Sequence, residues 1–473
     1  MSKPVFFHLS ALDQAMMRVY IRYCLCFPCE NESPARDGVA ARLRTAVRNV
    51  VAKMPILAGS VSSADTPADS SSEQAGRLEI RLSLDELNAF QPIVKILGQE
   101  EFPYTYESLA AGRVSPARIM SHALTPLQDW PGGQKSNPAF AVQGSFIEGG
   151  FLVAIYVHHS VADIQGIAEV IKHMSNANGA SPSQLTQHDL ESAASQQSKL
   201  REQLAGIRSV RQDPRLRSQF PSEQVQSKAI GPEKDAENGT QRILAFRLDK
   251  ITSLKERVNE RGTASADGAT AISAFSCLAA ILWTGITRAR FPHGGGEDSA
   301  AILLVPFSIR KKLEPPLDDS YYGNACRVAF IPSQIPKLRL PYEESLIKEV
   351  AEAIGESFRD MNDGQVRSFI DRVNAVPDVR VFSSPSLGLK SAKLVVSSWE
   401  GVPTGKEASL GLGLGAPQYS RMISREHTSY YCVVHPRKRE ENFWEVNVQL
   451  PVHDMRNLLV DDGFMQFVKW VSE

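Results

Sequence analysis

The segment 158–163, HHSVAD, carries two adjacent histidines with an aspartate four residues after the second, and no other stretch of the chain is better equipped to move a proton. An imidazole titrating near neutral pH can take a proton from a hydroxyl or an amine and give it back. The flanking residues position it. Phe140–Ile147 is apolar and β-prone, Gly149-Gly150 supplies a tight turn, and 151–157 is a second apolar run, so the pair predicts a hairpin buried in a sheet. That second strand runs directly into His158-His159, which sets an imidazole on a rigid platform beside solvent. After Asp163, the stretch 164–173 (IQGIAEVIKH) resumes apolar residues at helical spacing.

Composition bounds the function. At 473 residues the chain is too long for one ordinary core and predicts two large domains or three small ones. Hydrophobic residues at 42 % and charged residues at 22 % suit a globular protein, and a net charge of −1 gives no global pull toward nucleic acid or anionic membrane. The N-terminus, MSKPVFFHLSALD, lacks a secretory pattern and no apolar run approaches the length of a spanning helix, so a cytoplasmic protein without membrane contact is expected. Six cysteines are too few for a disulfide framework at this length. Cys24, Cys26 and Cys29 have a spacing that can hold zinc or do redox chemistry. They lie in a strand whose alternation puts Cys24 and Cys26 on one face with no histidine nearby, so they read as structural and no metal is expected.

LSALDQ (9–14) precedes a strand over 19–27. Pro34 opens a helix carrying Val39, Leu43, Val47, Val50 and Met54 at three-to-four spacing, which Pro55 stops, and RLEIRL (77–82) alternates as a strand. From about 179 to 241 the chain turns polar, with Pro182, Pro214, Pro221 and Pro232, and reads as a crossover that is partly helical around 190–210. The second half repeats the pattern: strands at 243–248, 301–309, 326–331, 394–398, 429–434 and 444–450, a buried helix over 269–290, an amphipathic helix over 343–361, and a closing helix burying Leu458, Leu459, Phe467 and Trp470. The expected division is 1–180, a linker over 181–241, and 242–473.

With these segments in view, the chain resembles the BAHD acyltransferases, the CoA-dependent enzymes of plant and fungal secondary metabolism. HHSVAD looks like their HxxxD signature. LSALDQ, PILAG (55–59), ITRAR (286–290), SIRKKLEPPLDDSYYGN (308–324), SSW (397–399) and SLGLGLGAP (409–417) match further segments in the family's order. The variants CLCFP and LGLG look fungal, similar to the trichothecene 3-O-acetyltransferase-like members.

The resemblance implies an α/β (α+β) architecture of two chloramphenicol-acetyltransferase-like domains, each a mixed sheet flanked by helices, with an active-site channel between them. It implies a monomeric O-acyltransferase that binds no cofactor permanently and uses acyl-CoA, acetyl-CoA foremost, to acylate a hydroxyl of a small-molecule acceptor. On that reading His159 is the general base, transfer is direct, and Asp163 supports the base from a salt bridge to Arg310. Candidates for CoA contacts are Arg290, Ser398 and Asn324, with Arg288, Lys311, Lys312 and Trp399 in matching segments. His158 is assigned no role. Ser409 stands where the family's DFG-type motif has aspartate, which predicts a looser C-terminal domain, and Ile164 stands where many members have glycine. Two other classes stay open: a condensation-type enzyme using carrier-protein thioesters, which share an HHxxxDG pattern, and a degenerate relative that only binds a metabolite.

Overall fold

A computed structural model describes residues 2–64, 74–131, 135–176, 184–204, 239–260, 271–294, 299–318, 321–382 and 392–473. The hairpin expected before the histidines is present. Phe140–Ile147 pairs antiparallel with Gly150–His158 from Ile147↔Gly150 to Phe140↔Val157. Gly149 turns the chain at φ +75°, a conformation that side chains with a Cβ resist. All nine residues of Gly150–His158 are buried, as a strand covered on both faces must be. The sheet has five strands, in the order Tyr419–Met422, Tyr20–Pro28, Gly150–His158, Phe140–Ile147 and Ile93–Ile96. The helices Ser33–Lys53 and Ile164–Ser175 contribute Val39, Leu43, Val47, Ile167 and Ile171 to the core beneath it.

A seven-stranded mixed sheet organises the second half, in the order Cys326–Gln334, Ala300–Ser308, Ala392–Ser398, Tyr431–Val434, Phe443–Pro451, Gly239–Arg247 and Val468–Val471. The helix Ala274–Arg290 is buried nearly all round, as its unbroken apolar composition requires. A third, four-stranded sheet joins Val5–Phe7, Leu78–Leu82, Ser60–Ser63 and Ser136–Pro138. Among the described residues no helix is long and apolar enough to cross a membrane, and no cluster of His, Cys, Asp and Glu could hold a metal ion.

The halves interlock. Tyr419–Met422, far along the chain, pairs with Tyr20–Pro28 at the edge of the first half's sheet. Tyr322, Trp399, Leu410, Leu412 and Val433 fill the first half's core. The crossover contains the helix Gln187–Glu202, capped by Thr186 and Asp189; its 181–183 and 205–238 portions lie outside the described residues.

The closing element differs from the sequence reading. Instead of one helix over 458–470 there are two short helices, Val452–Leu458 and Asp462–Met465, followed by the strand Val468–Val471. Asp461 caps a new turn, accepting from the Phe464 amide, and the last residues satisfy their backbone on the open edge of Gly239–Arg247. Phe464 then packs so close to Gly285 that a Cβ there would meet its ring at 2.4 Å.

Candidate active site

His158 ends the buried strand and His159 begins the turn after it. The His158 amide donates to the Ala139 carbonyl at 2.9 Å and the His159 amide to the Val19 carbonyl at 2.8 Å, so the residues just before the two neighbouring strands grip the backbone of both histidines. The His158 ring lies edge-on to Tyr20, and its Nδ1 accepts the Ser160 amide at 3.2 Å. That acceptor role needs a neutral ring with its proton on Nε2. Burial, with help from His159 and Arg18, pushes the His158 pKa down to about 3, so the ring is neutral at physiological pH.

His159 is placed differently: the residue keeps partial exposure while its Nδ1 is buried without a hydrogen-bond partner. Burial lowers its pKa as well, opposed by its own backbone, by Asp163 and by Asn324. The imidazole therefore stands neutral at pH 7, the form that can accept a proton.

Asp163 spends its carboxylate on the helix start and the second half, and so closes the loop. Its Oδ1 caps the helix Ile164–Ser175, accepting the Gln165 and Gly166 amides at 3.1 Å each. Arg310 grips both carboxylate oxygens, at 2.8 and 3.0 Å, and the Ala325 amide adds a third contact at 3.0 Å. The same guanidinium donates to the Gly323 carbonyl at 2.8 Å. A fully paired and capped carboxylate holds a loop; it has no lone pair left for a substrate. Ile164 is partly buried against the core at the first position of the helix. The crowded position is Gly166, where a Cβ would meet the Tyr322 carbonyl oxygen at 2.3 Å.

Asn324 is fully buried. Its Nδ2 donates to the His159 carbonyl at 2.7 Å and to Asp13 at 2.9 Å. Asp13 in turn pairs with Arg201 of the crossover helix at 3.0 Å. Neither Asp13 nor Arg201 was recognisable from the sequence as a site residue. LSALDQ contains the Ser10-x-x-Asp13 capping box seen here, which was the available signal for Asp13. Arg201 lies in a polar stretch where it resembles any solvated arginine.

The remaining candidates lie elsewhere in the network. The Ser398 hydroxyl accepts the Glu400 amide at 3.4 Å, and the buried Trp399 packs against Tyr23 and His435. The Arg290 guanidinium sits 3.7 Å from the centre of the Tyr430 ring, Arg288 pairs with Asp461, and Lys312 donates to the Phe358 carbonyl, whereas Lys311 is exposed. SLGLGLGAP cradles no phosphate-binding helix. Gly411, Gly413 and Gly415 turn it at φ 64°, 76° and 79°, Leu410 and Leu412 insert into the first half's core, and Arg42 donates to the Leu412 carbonyl. The loop is thus docked on the first half by two leucine side chains and a backbone carbonyl. Cys24 and Cys26 share a buried face with sulfurs 3.9 Å apart, as alternation requires.

Residues 113–463 match the Transferase family, and residues 19–178 match the trichothecene 3-O-acetyltransferase-like N-terminal domain. The chain belongs to the BAHD transferase family. This BAHD acyltransferase is 24 % identical to the O-acetyltransferase ptmV of Penicillium ochrochloron, covering 99 % of this chain and 98 % of that one. It is 25 % identical to the acyltransferase easC of Emericella nidulans, covering 98 % and 95 %. Its fold is that of TRI101 of F. sporotrichioides, solved with coenzyme A and T-2, at a TM-score of 0.78 and 17 % identity over 98 % of this chain and 99 % of that one. The two-domain architecture expected from the resemblance is therefore the observed one. Vinorine synthase is similar at a TM-score of 0.60 and 15 % identity, over 98 % and 93 %.

Proposed function

We propose that this transferase moves an acyl group, acetyl foremost, from acyl-CoA to a hydroxyl of a small secondary metabolite, with His159 as the general base. One observation carries the reading: His159 is the partly exposed, neutral imidazole at the end of a rigid strand, with its loop tied by Asp163, Arg310 and Asn324. Relatives named as O-acetyltransferases and solved neighbours complexed with coenzyme A support the donor and the acceptor class. The halves 1–180 and 242–473, joined by 181–241, would each present one face of the channel.

The chemistry follows from the tautomer. With the proton on Nδ1, Nε2 takes the acceptor's hydroxyl proton as its oxygen attacks the thioester carbonyl. The tetrahedral intermediate then collapses, the C–S bond breaks, and the imidazolium returns its proton to the CoA thiolate. A positioned base contributes about 10²- to 10⁴-fold. No acyl-enzyme forms. Asp163, Arg310 and Asn324 act on the loop in this scheme, leaving CoA recognition to Arg290, Ser398 and the exposed basic residues.

The test is mass spectrometry of products from acetyl-, malonyl- and longer acyl-CoAs with metabolite extract of the producing organism, using wild type and His159→Ala. An acetylated product that disappears in the variant is expected. Equal turnover by both proteins would refute the assignment, and activity only with acyl-carrier protein would move the chain to the condensation class.

A further inference from the structure

The described residues include four buried arginines, and three of them are matched by a carboxylate: Arg22 by Asp129 at 2.8 Å, Arg201 by Asp13 at 3.0 Å and Arg421 by Glu445 at 2.7 Å. Arg327 is the exception. It is 7 % exposed, no described carboxylate or carbonyl accepts from its guanidinium, and its Nε is sealed from water without a partner. What it does touch is the face of Phe369, 3.4 Å from the guanidinium carbon. An aromatic face attracts a cation without neutralising it, and a charge taken out of water with no counter-charge is costly. Burial, together with the Arg372 cation, lowers the Arg327 pKa to about 10, so the group is still charged at pH 7. Cys326 beside it supplies no negative charge, because burial pushes that thiol up to about 12. The counterion is missing.

The chain places this cation in the segment that holds His159. The His159 backbone is gripped by the Val19 carbonyl at 2.8 Å and by Asn324 Nδ2 at 2.7 Å. Arg18 immediately precedes the first of these residues and Arg327 follows the second by three. The two segments touch, with the sulfurs of Met16 and Cys326 3.9 Å apart. Arg18 is half-buried, and its Nε also lacks a partner, while one terminal nitrogen donates to the Gly76 carbonyl. After burial and His159, Arg18 is the charge that lowers the His158 pKa, which puts it within electrostatic reach of the paired histidines. Asp378, the carboxylate that bears on Arg18, is itself bound by Arg380 at 2.6 Å.

Taking His159 as the base, which is the reading above, we propose that the acceptor is a hydroxy acid whose carboxylate is received by Arg327, with Arg18 on the other flank of the base. The terminal nitrogens of Arg327 donate to no described group and are not among the sealed atoms, so they form the end of the side chain that water still reaches. A guanidinium presents them as a planar fork that matches the two oxygens of a carboxylate. Phe369 packs on the fork, and Phe382, edge-on to Phe369 at 5.5 Å, extends an apolar wall suited to a carbon skeleton. The phosphates of CoA are the rival counterion. An opening that leaves 7 % of the residue exposed favours the smaller, singly charged group, whose charge equals that of one guanidinium.

The experiment uses the full chain with deuterated acetyl-CoA and metabolite extract of the producing organism, products being identified by mass spectrometry. The acetylated product should bind an anion exchanger at pH 7, and methyl esterification of the extract beforehand should abolish its formation. Arg327→Met should lower turnover at limiting extract by about 10- to 10²-fold, the worth of hydrogen bonds between charged groups, with the KM for acetyl-CoA unchanged. Arg327→Lys should lose less. Benzoate should inhibit wild type in competition with the extract, benzamide should not, and Arg327→Met should be insensitive to both. Because the methionine variant removes an uncompensated charge, its urea midpoint should equal or exceed that of wild type. A product that passes the exchanger or survives esterification overturns the proposal. So does a raised KM for acetyl-CoA with acceptor kinetics intact, which assigns the site to CoA, or a lowered midpoint with all kinetics intact, which makes Arg327 a packing residue. Should Arg327→Met not fold, Arg18→Gln at its half-buried position must weaken benzoate inhibition, and unchanged inhibition overturns the proposal too. The general-base reading fails separately, on undiminished turnover by His159→Ala.

Discussion

Arg310 holds Asp163 through both terminal nitrogens, at 2.8 and 3.0 Å, across a separation of 147 residues. The contact fastens the second half to the turn that begins with His159, and it leaves a carboxylate and a guanidinium mostly removed from water. A pair of this kind contributes less by its attraction than it costs to break, because the survivor keeps its charge in a low-dielectric site.

Arg310→Met should therefore destabilise the protein by about 3–5 kcal/mol, the range for orphaning one partner of a buried pair. Asp163→Asn can still cap the helix and should cost less. The double variant Asp163→Asn/Arg310→Met should be more stable than Arg310→Met alone. Urea unfolding of the three proteins checks this order, and additive losses would show that the charges do not interact.

The acid limb of kcat/KM should lie below pH 6.5, because burial lowers the His159 pKa and only the neutral ring serves as base. Asn324 raises that pKa, so Asn324→Ala should move the limb further toward acid while lowering the plateau. Initial rates between pH 4.5 and 8 give both numbers. A limb above 6.5 would contradict a buried imidazole.

Stability has its own acid dependence. His158 titrates at about 3 when folded and near 6.5 when unfolded, so between these values the unfolded chain binds more protons. Stability is complete above pH 6.5 and falls as pH drops toward 3, by about 1.4 kcal/mol per unit from this residue. His158→Asn places an amide oxygen where Nδ1 accepts the Ser160 amide and removes the titration. Urea midpoints at pH 7 and 5 should differ less in the variant than in wild type, with a residual difference to which His159, His173, His427 and His435, whose pKa values are also lowered, contribute.

Crowding after the HxxxD motif should be felt at Gly166 and not at Ile164. A Cβ at 166 would meet the Tyr322 carbonyl oxygen at 2.3 Å and the Ala162 Cβ at 2.6 Å, so Gly166→Ala must displace the YYGN turn or the helix start. About 1–3 kcal/mol of stability is the expected loss for such overpacking, along with turnover. Ile164→Gly removes apolar burial alone, and its thermal midpoint and kcat should stay nearer to wild type.

Much of the scaffold was legible from local pattern. The hairpin 140–158 announced itself through two apolar runs around Gly149-Gly150, and the buried helix ending at Arg290 through its lack of a polar face, because both signals depend on residues close in sequence. The closing segment misled for the same reason: Leu458, Leu459, Phe467 and Trp470 suggested one apolar helix face, yet Val468–Val471 pairs with an open sheet edge formed 222 to 227 residues earlier, as in Val468↔Phe246 and Val471↔Leu244. The Ser409 departure predicted a looser second domain, whereas the loop that follows it is docked through Leu410, Leu412 and the Leu412 carbonyl, contacts that do not use residue 409 as a charge.

By itself the amino-acid sequence determined the candidate histidines, the strand that presents them and the family to which HHSVAD and its companion segments belong, since each is written in residue type and short spacing. Only the tertiary structure decided which of the many buried or charged groups stand around His159. Asp13, Arg201 and Asn324 meet over separations of 188 and 311 residues; nothing local distinguishes Asp13 and Arg201 from a helix cap and a solvated arginine, and Asn324 stood out only as a candidate CoA contact. Their roles arise from exclusion of water, which makes each hydrogen bond obligatory and which no stretch of chain achieves alone.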